Sequence, residues 1–127
     1  MPSQRHETIP PGEPRLLEGV RLFNAAAYFE SHEVWESLWH ELEGEERGLL
    51  QGLIQIAAAY HHLMRGNLAG ATYLYGRARV RLKRWLPRRA GLELSAFMTQ
   101  VDAQFARLDP VRFTPRKPDV ILRLSDG

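Results

Sequence analysis

The segment from about residue 45 to residue 64 constrains the fold most, because its apolar side chains face almost every direction of a helix. At about 100° per residue they cover most of the helical wheel, whereas a surface helix has a single apolar face. We therefore expect a central helix that other helices surround. Its apolar residues are Leu49, Leu50, Leu53, Ile54, Ile56, Ala57, Tyr60, Leu63 and Met64.

The rest of the chain predicts four more helices, because apolar spacing, prolines and glycines divide it into helical segments and no alternating pattern is long enough for a sheet. The proline-rich start and the run Val120 to Leu124 predict extended N- and C-terminal tails, the latter lying on the bundle. The sequence thus predicts an all-α fold, a single compact bundle of about five helices with a central buried helix. One domain covers 1–127, with its core at about 15–108. The four outer helices span about 14–23, 26–42, 68–86 and 92–108.

Composition limits the chemistry that this chain can carry. There is no cysteine among the 127 residues, which excludes thiol nucleophiles, disulfides and cysteine-ligated metals. A metal site would have to use His, Glu and Asp. No apolar run approaches the length that spans a bilayer, and the N-terminus does not resemble a secretory signal. We therefore expect a cytoplasmic protein without a membrane partner.

The second predicted helix places a histidine and a glutamate beside its apolar face. With Tyr28 at zero, Trp35 and Trp39 fall within about 20° of it and define a buried face. On the same wheel His32 lies near 40° and Glu36 near 80°, so we expect both to be shielded from water. Glu33 falls at the margin of the solvated face.

The central helix carries a polar strip of its own. With Leu49 at zero, Gln51, His62 and Gln55 fall at about 200° to 240°. Buried polar groups need partners, because each unpaired one costs roughly 1 to 3 kcal/mol. The second helix offers His32 and Glu36 as those partners.

These polar residues form a candidate site with two open interpretations. In the first, His32, Glu36 and His62 hold a divalent metal, or His32 and Glu36 act as an acid–base pair on a small molecule, with hydrolysis as the reaction to test first. Glu33, Gln51 and Gln55 complete the polar set. In the second, the same residues form a purely structural network that fixes the packing.

Opposite charges are segregated along the chain. Residues 65–89 hold seven Arg and one Lys without an Asp or Glu, while residues 30–46 hold seven Glu without a Lys or Arg. These blocks predict pairing within the chain or between copies, so a homo-oligomer is one expectation. A helical interaction module is the other functional class. Nucleic acid is the less favoured partner, because no aromatic residue alternates with the arginines.

Two motifs of the chain stand out. The first is Phe23-Asn24, Tyr28-Phe29-Glu30, His32-Glu33, Trp35-Glu36 and Trp39, and the second is Gln51-Gly52-Leu53-Ile54-Gln55, Ala59, His62, Gly66-Asn67 and Gly70-Ala71. Together they resemble a prokaryotic helical-bundle family catalogued as domain of unknown function 309, over about Arg15 to Trp85. The resemblance implies a compact all-α fold, places His32, Glu33, Glu36, Gln51, Gln55 and His62 at the family's polar positions, and implies no activity. Ala26 departs from it at a turn where a small residue such as glycine is expected.

Overall fold

The computed structural model describes residues 6–125 and confirms the all-α class. A hairpin of two-residue strands was not predicted, because strands this short leave no alternating pattern. The helices are α1 Pro14–Asn24, α2 Tyr28–Trp39, α3 Glu46–Met64, α4 Leu68–Lys83 and α5 Leu94–Ala106, and the antiparallel strands are β1 Arg88–Arg89 and β2 Leu92–Glu93.

The central position of α3 is confirmed. It packs against both α2 and α4, and α1 packs against α2. Leu49, Leu53, Ile56 and Tyr60 are fully buried. Within residues 6–125, no helix is both long and apolar enough to cross a bilayer.

Two helices end three residues earlier than their apolar spacing predicts, and α5 spans 94–106 instead of about 92–108. α2 stops at Trp39 instead of Leu42, because the next residues form a turn and then pair with the N-terminal segment. The His6 amide donates to the Glu41 carbonyl at 2.8 Å, which holds this segment in a bridge rather than a helix. α4 stops at Lys83, so Trp85 lies just beyond the helix and not on its apolar face.

The turn between α1 and α2 passes through Ala26, whose φ is 62°. This left-handed conformation favours glycine, since a Cβ is strained there. The left-handed backbone at residue 26 therefore explains why a residue such as glycine is expected there.

The C-terminal tail lies on the bundle as predicted, and two side-chain amides hold it. The Asn24 side chain donates to the Leu122 carbonyl at 2.9 Å and accepts from the Leu122 amide at 2.8 Å. Gln100 makes the same pair of bonds with Ile121, at 2.9 and 3.0 Å. Each side-chain amide thus bonds the backbone N–H and C=O of one tail residue, as a neighbouring β-strand would do.

Candidate functional site

Helices α2 and α3 run antiparallel past each other, and their contacts fix which residues are level. The Arg47 guanidinium lies 3.7 Å from the Trp39 ring centroid, while the rings of Phe29 and His61 are 5.4 Å apart. Residue numbers therefore rise along α3 as they fall along α2. This register brings His32 level with Gln55, which lies one turn after Gln51 on α3.

His32 and Glu36 come together on α2 as their spacing predicts. The His32 Nε2 lies 3.5 Å from the Glu36 Oε2. Their exposure differs from the prediction, because the Glu36 side chain is 47% exposed and the His32 side chain 27%. Glu36 is therefore at the surface, and only His32 is largely shielded.

The prediction that Glu36 is shielded was wrong because the buried face of α2 lies further round the helix than its tryptophans indicate. Ser31 and Leu38, at about 300° and 280° on the wheel, are fully buried. Ser31 tolerates burial because its hydroxyl donates to the Gly19 carbonyl at 2.8 Å. Counting Ser31 with the apolar residues moves the buried face away from Glu36.

Three buried polar atoms of α2 and α3 have no hydrogen-bond partner among the described residues. They are the His32 Nδ1 and the Trp39 Nε1 on α2, and the Gln55 Oε1 on α3. The Glu36 carboxylate beside the His32 Nε2 favours a proton on that nitrogen, which leaves a lone pair on Nδ1. The α2–α3 site, which we define as His32, Glu36 and Gln55, thus presents two unsatisfied acceptors. Trp39 is seven residues from His32, about 10 Å along α2, and lies outside this site.

His62 does not join this site. It lies seven residues beyond Gln55, about 10 Å along the helix axis. Its Nδ1 instead lies 3.1 Å from the side-chain nitrogen of Asn67, the N-cap of α4, whose Oδ1 accepts from the Gly70 amide at 3.0 Å. The expected combination of His32, Glu36 and His62 on one ion is therefore not formed. Within residues 6–125, no three His, Asp or Glu side chains form a group that could hold a metal.

The other predicted polar residues lie at the edge of the site. Gln51 is half-buried on α3, and Glu33 is exposed on α2. His61 lies against the half-exposed Phe29, and burial together with the nearby Arg65 lowers its pKa. Two cavities of the structure lie elsewhere, one against α5 and one beside the C-terminal tail.

The charged blocks pair within the chain at the start of α3. Arg84 lies 2.6 Å from Glu45, and Arg89 lies 2.6 Å from Glu46. Glu46 is buried and also accepts from the Ile9 amide at 2.6 Å. The burial of Glu46 and its bond to Ile9 were not predicted. Its position in the first turn of an otherwise enclosed helix was the available signal.

Comparison with known families agrees with this architecture. Residues 16–74 match a family model described as "Domain of unknown function (DUF309)". The match covers α1 to α3, the start of α4 and every residue of the predicted polar set. No curated protein matches the sequence. Residues 16–74 of this chain therefore resemble the DUF309 family, as the two motifs predicted.

Proposed function

We propose that this domain binds a small polar molecule that carries N–H donors, an amine or a guanidinium, at the α2–α3 site. One observation carries the proposal: the His32 Nδ1 and the Gln55 Oε1 are buried acceptors on facing helices, and no described residue donates to either. An unsatisfied buried acceptor costs about 1 to 3 kcal/mol. A ligand that donates to both atoms recovers that free energy on binding.

The charges around the site favour the same ligand chemistry. Glu36 lies beside His32, and Glu30 and Glu33 are exposed on the same helix. Among the described residues, none of the three has a Lys or Arg ion-pair partner. A local excess of carboxylates attracts cations and raises their local concentration.

Glu36 acts in this proposal as a positioning residue. It lies on the Nε2 side of the imidazole and so keeps the Nδ1 lone pair free for the ligand. An imidazole oriented in this way is also suited to general-base chemistry, which keeps hydrolysis as the reaction class to test on a bound ester or amide. A divalent metal would find only two protein ligands here, His32 and Glu36, fewer than metal sites normally offer.

A partner protein is the second candidate, and the exposure of Phe29 supports it. This side chain is 46% exposed beside His61 and His32, so an apolar contact lies next to the acceptors. A lysine or arginine side chain on a partner's surface would supply the same donors as a free amine. The domain would then act as an interaction module through the same site.

The experiment follows the His32 imidazole nitrogens by NMR in ¹⁵N-labelled protein while ethylguanidine, butylamine, Zn²⁺ or inorganic phosphate is added. We expect ethylguanidine or butylamine to move the His32 Nδ1 resonance and to raise the melting temperature. His32→Gln should abolish the rise, while His40→Gln, which changes an exposed histidine at the end of α2, should leave it unchanged. If neither cation moves the Nδ1 resonance, the proposal fails. If Zn²⁺ moves the His32 resonance in the wild type but not in Glu36→Gln, a metal site would replace the proposed amine or guanidinium site.

Gln55→Leu gives a second, independent readout. Leucine keeps a similar shape without the unsatisfied oxygen, so the free energy of unfolding should rise by about 1 kcal/mol. The same variant should no longer bind ethylguanidine. Higher stability together with lost binding is the pattern of a residue kept for function. A Gln55→Leu protein that is clearly less stable than wild type would show that this oxygen has a structural partner.

A further inference from the structure

A cleft of about 1080 Å³ lies between α5 and the segment formed by residues 109–120. Its inner wall is apolar and includes Leu63 at the end of α3, Leu108, Phe113 and Val120. The far end of the segment is fixed, because Gln100 holds the next residue, Ile121, by two hydrogen bonds. The volume is ample for a small molecule with an apolar body.

The rim of the cleft carries more cations than carboxylates. Asp109 is already engaged, since its Oδ1 accepts from the Val111 amide at 3.0 Å and its Oδ2 lies 4.0 Å from the Arg112 guanidinium. Of the remaining cations, none has an ion-pair partner within the described part of the chain, and Asp119 is the one carboxylate left among the lining residues. These cations are Arg107, Arg116 and Lys117.

Gln104 adds an oriented hydrogen-bond donor to the same wall. The Tyr60 hydroxyl donates to the Gln104 Oε1 at 2.7 Å, and Tyr60 is fully buried against Phe105. A fixed donor on the oxygen sets the amide orientation, because the side-chain nitrogen then lies on the opposite side. The two N–H groups of Gln104 are therefore left for a ligand in the cleft.

We propose that this cleft binds an amphipathic anion, a molecule with a phosphate or carboxylate head and an apolar body. The head contacts the guanidinium and ammonium groups of Arg107, Arg116 and Lys117 and accepts from Gln104. The body lies against Leu63 and Phe113. This site is separate from the α2–α3 site and has the opposite charge preference, so the failure of one does not affect the other.

The first test titrates the full chain with phenyl phosphate and follows backbone and side-chain amide shifts by NMR. We expect saturable shifts at residues 107–119 and at the Gln104 side chain. Inorganic phosphate lacks the apolar body and should bind at least about tenfold more weakly. Benzoate compared with phenyl phosphate identifies the preferred head group. Shifts that do not saturate, or that fall outside this segment, would overturn the proposal, as would equal binding of benzyl alcohol, which has no charge.

The second test removes charge at the rim. Arg116→Gln with Lys117→Gln changes two exposed residues and should weaken phenyl phosphate binding by about tenfold or more. The matched control is Arg77→Gln with Lys83→Gln, which removes the same charge from exposed positions of α4. It should change the affinity less than about twofold. Equal weakening by both pairs would mean that the anion responds to net charge alone, and the cleft would not be its site. Circular dichroism checks that each variant is folded.

Discussion

Replacement of Gly19 by alanine tests the contact between α1 and α2. Gly19 is buried within α1, and a Cβ built there lies 2.0 Å from the Trp35 Nε1, far inside any real contact. Trp35 is fully buried, and its indole N–H donates to the Leu16 carbonyl at 3.1 Å. The ring therefore has no free space to move into without losing this bond.

The magnitude follows from two opposing effects. Alanine is favoured over glycine inside a helix by about 1 kcal/mol. Overpacking of a filled core costs about 1 to 3 kcal/mol, and loss of the buried indole hydrogen bond costs a further 1 to 3. The steric effect is the larger, so Gly19→Ala should lower the free energy of unfolding by about 3 kcal/mol.

Urea unfolding followed by tryptophan fluorescence measures this difference. The matched control is Gly76→Ala in α4, where a new Cβ meets nothing within 4 Å. It should raise stability by about 0.5 to 1 kcal/mol through helix propensity alone. If Gly19→Ala is as stable as Gly76→Ala, Gly19 does not lie in close contact with the Trp35 ring, and the reasoning is refuted.

Four further predictions concern the core, a strained turn, the tail and alkaline pH. Trp85→Ala should lower the free energy of urea unfolding by about 3 to 5 kcal/mol, because the ring is buried between Arg84 and Arg89, whereas Arg81→Ala should cost far less; equal losses would refute this. Ala26→Gly should raise that free energy by about 1 kcal/mol by relieving a φ of 62°, and a loss would contradict the strain. Asn24→Ala should speed hydrogen exchange at the Leu122 amide, and unchanged exchange would show that Asn24 does not hold the tail. Burial raises the pKa of Tyr28 to about 12, so the unfolded chain ionises first and stability should fall between about pH 10 and 12; Tyr28→Phe should lose less over that interval in urea unfolding, and an identical loss would refute the assignment.

The helices were predictable because their signal is local. The apolar coverage of α3 and the spacing within α1, α2 and α5 depend on residues three and four positions apart. The ends of α2 and α4 were not predictable in the same way. Whether residues 40–42 stay helical depends on the His6 amide, which is distant in sequence. Pairing with a segment that is remote in sequence does not change the apolar spacing of residues 40–42, so that spacing could not predict where α2 ends.

The candidate site was partly predictable for the same reason. The i, i+4 pair of His32 and Glu36 is a local feature, and the structure brings the two together. The exposure of Glu36 depends instead on the burial of Ser31, which requires the Gly19 carbonyl on another helix. The separation of His62 depends on the register between α2 and α3. Wheel positions give a direction around each helix but not the level at which two helices meet.

Ion pairs within the chain divide the acidic block, residues 30–46, into a part that is neutralised and a part that is not. Its C-terminal part binds arginines from three other segments, in the first turn of α1, at the end of α4 and in β1. These ion pairs are Glu41 with Arg15, Glu45 with Arg84 and Glu46 with Arg89. Its N-terminal part, with Glu30, Glu33 and Glu36, has no such partner within the described residues and lies on the helix that carries His32. The acidic charge left over therefore lies on the helix that carries His32, while three cations without an ion-pair partner in the described part of the chain, Arg107, Arg116 and Lys117, line the α5 cleft. This separation is the physical reason to expect a cationic ligand at the first site and an anionic ligand at the second.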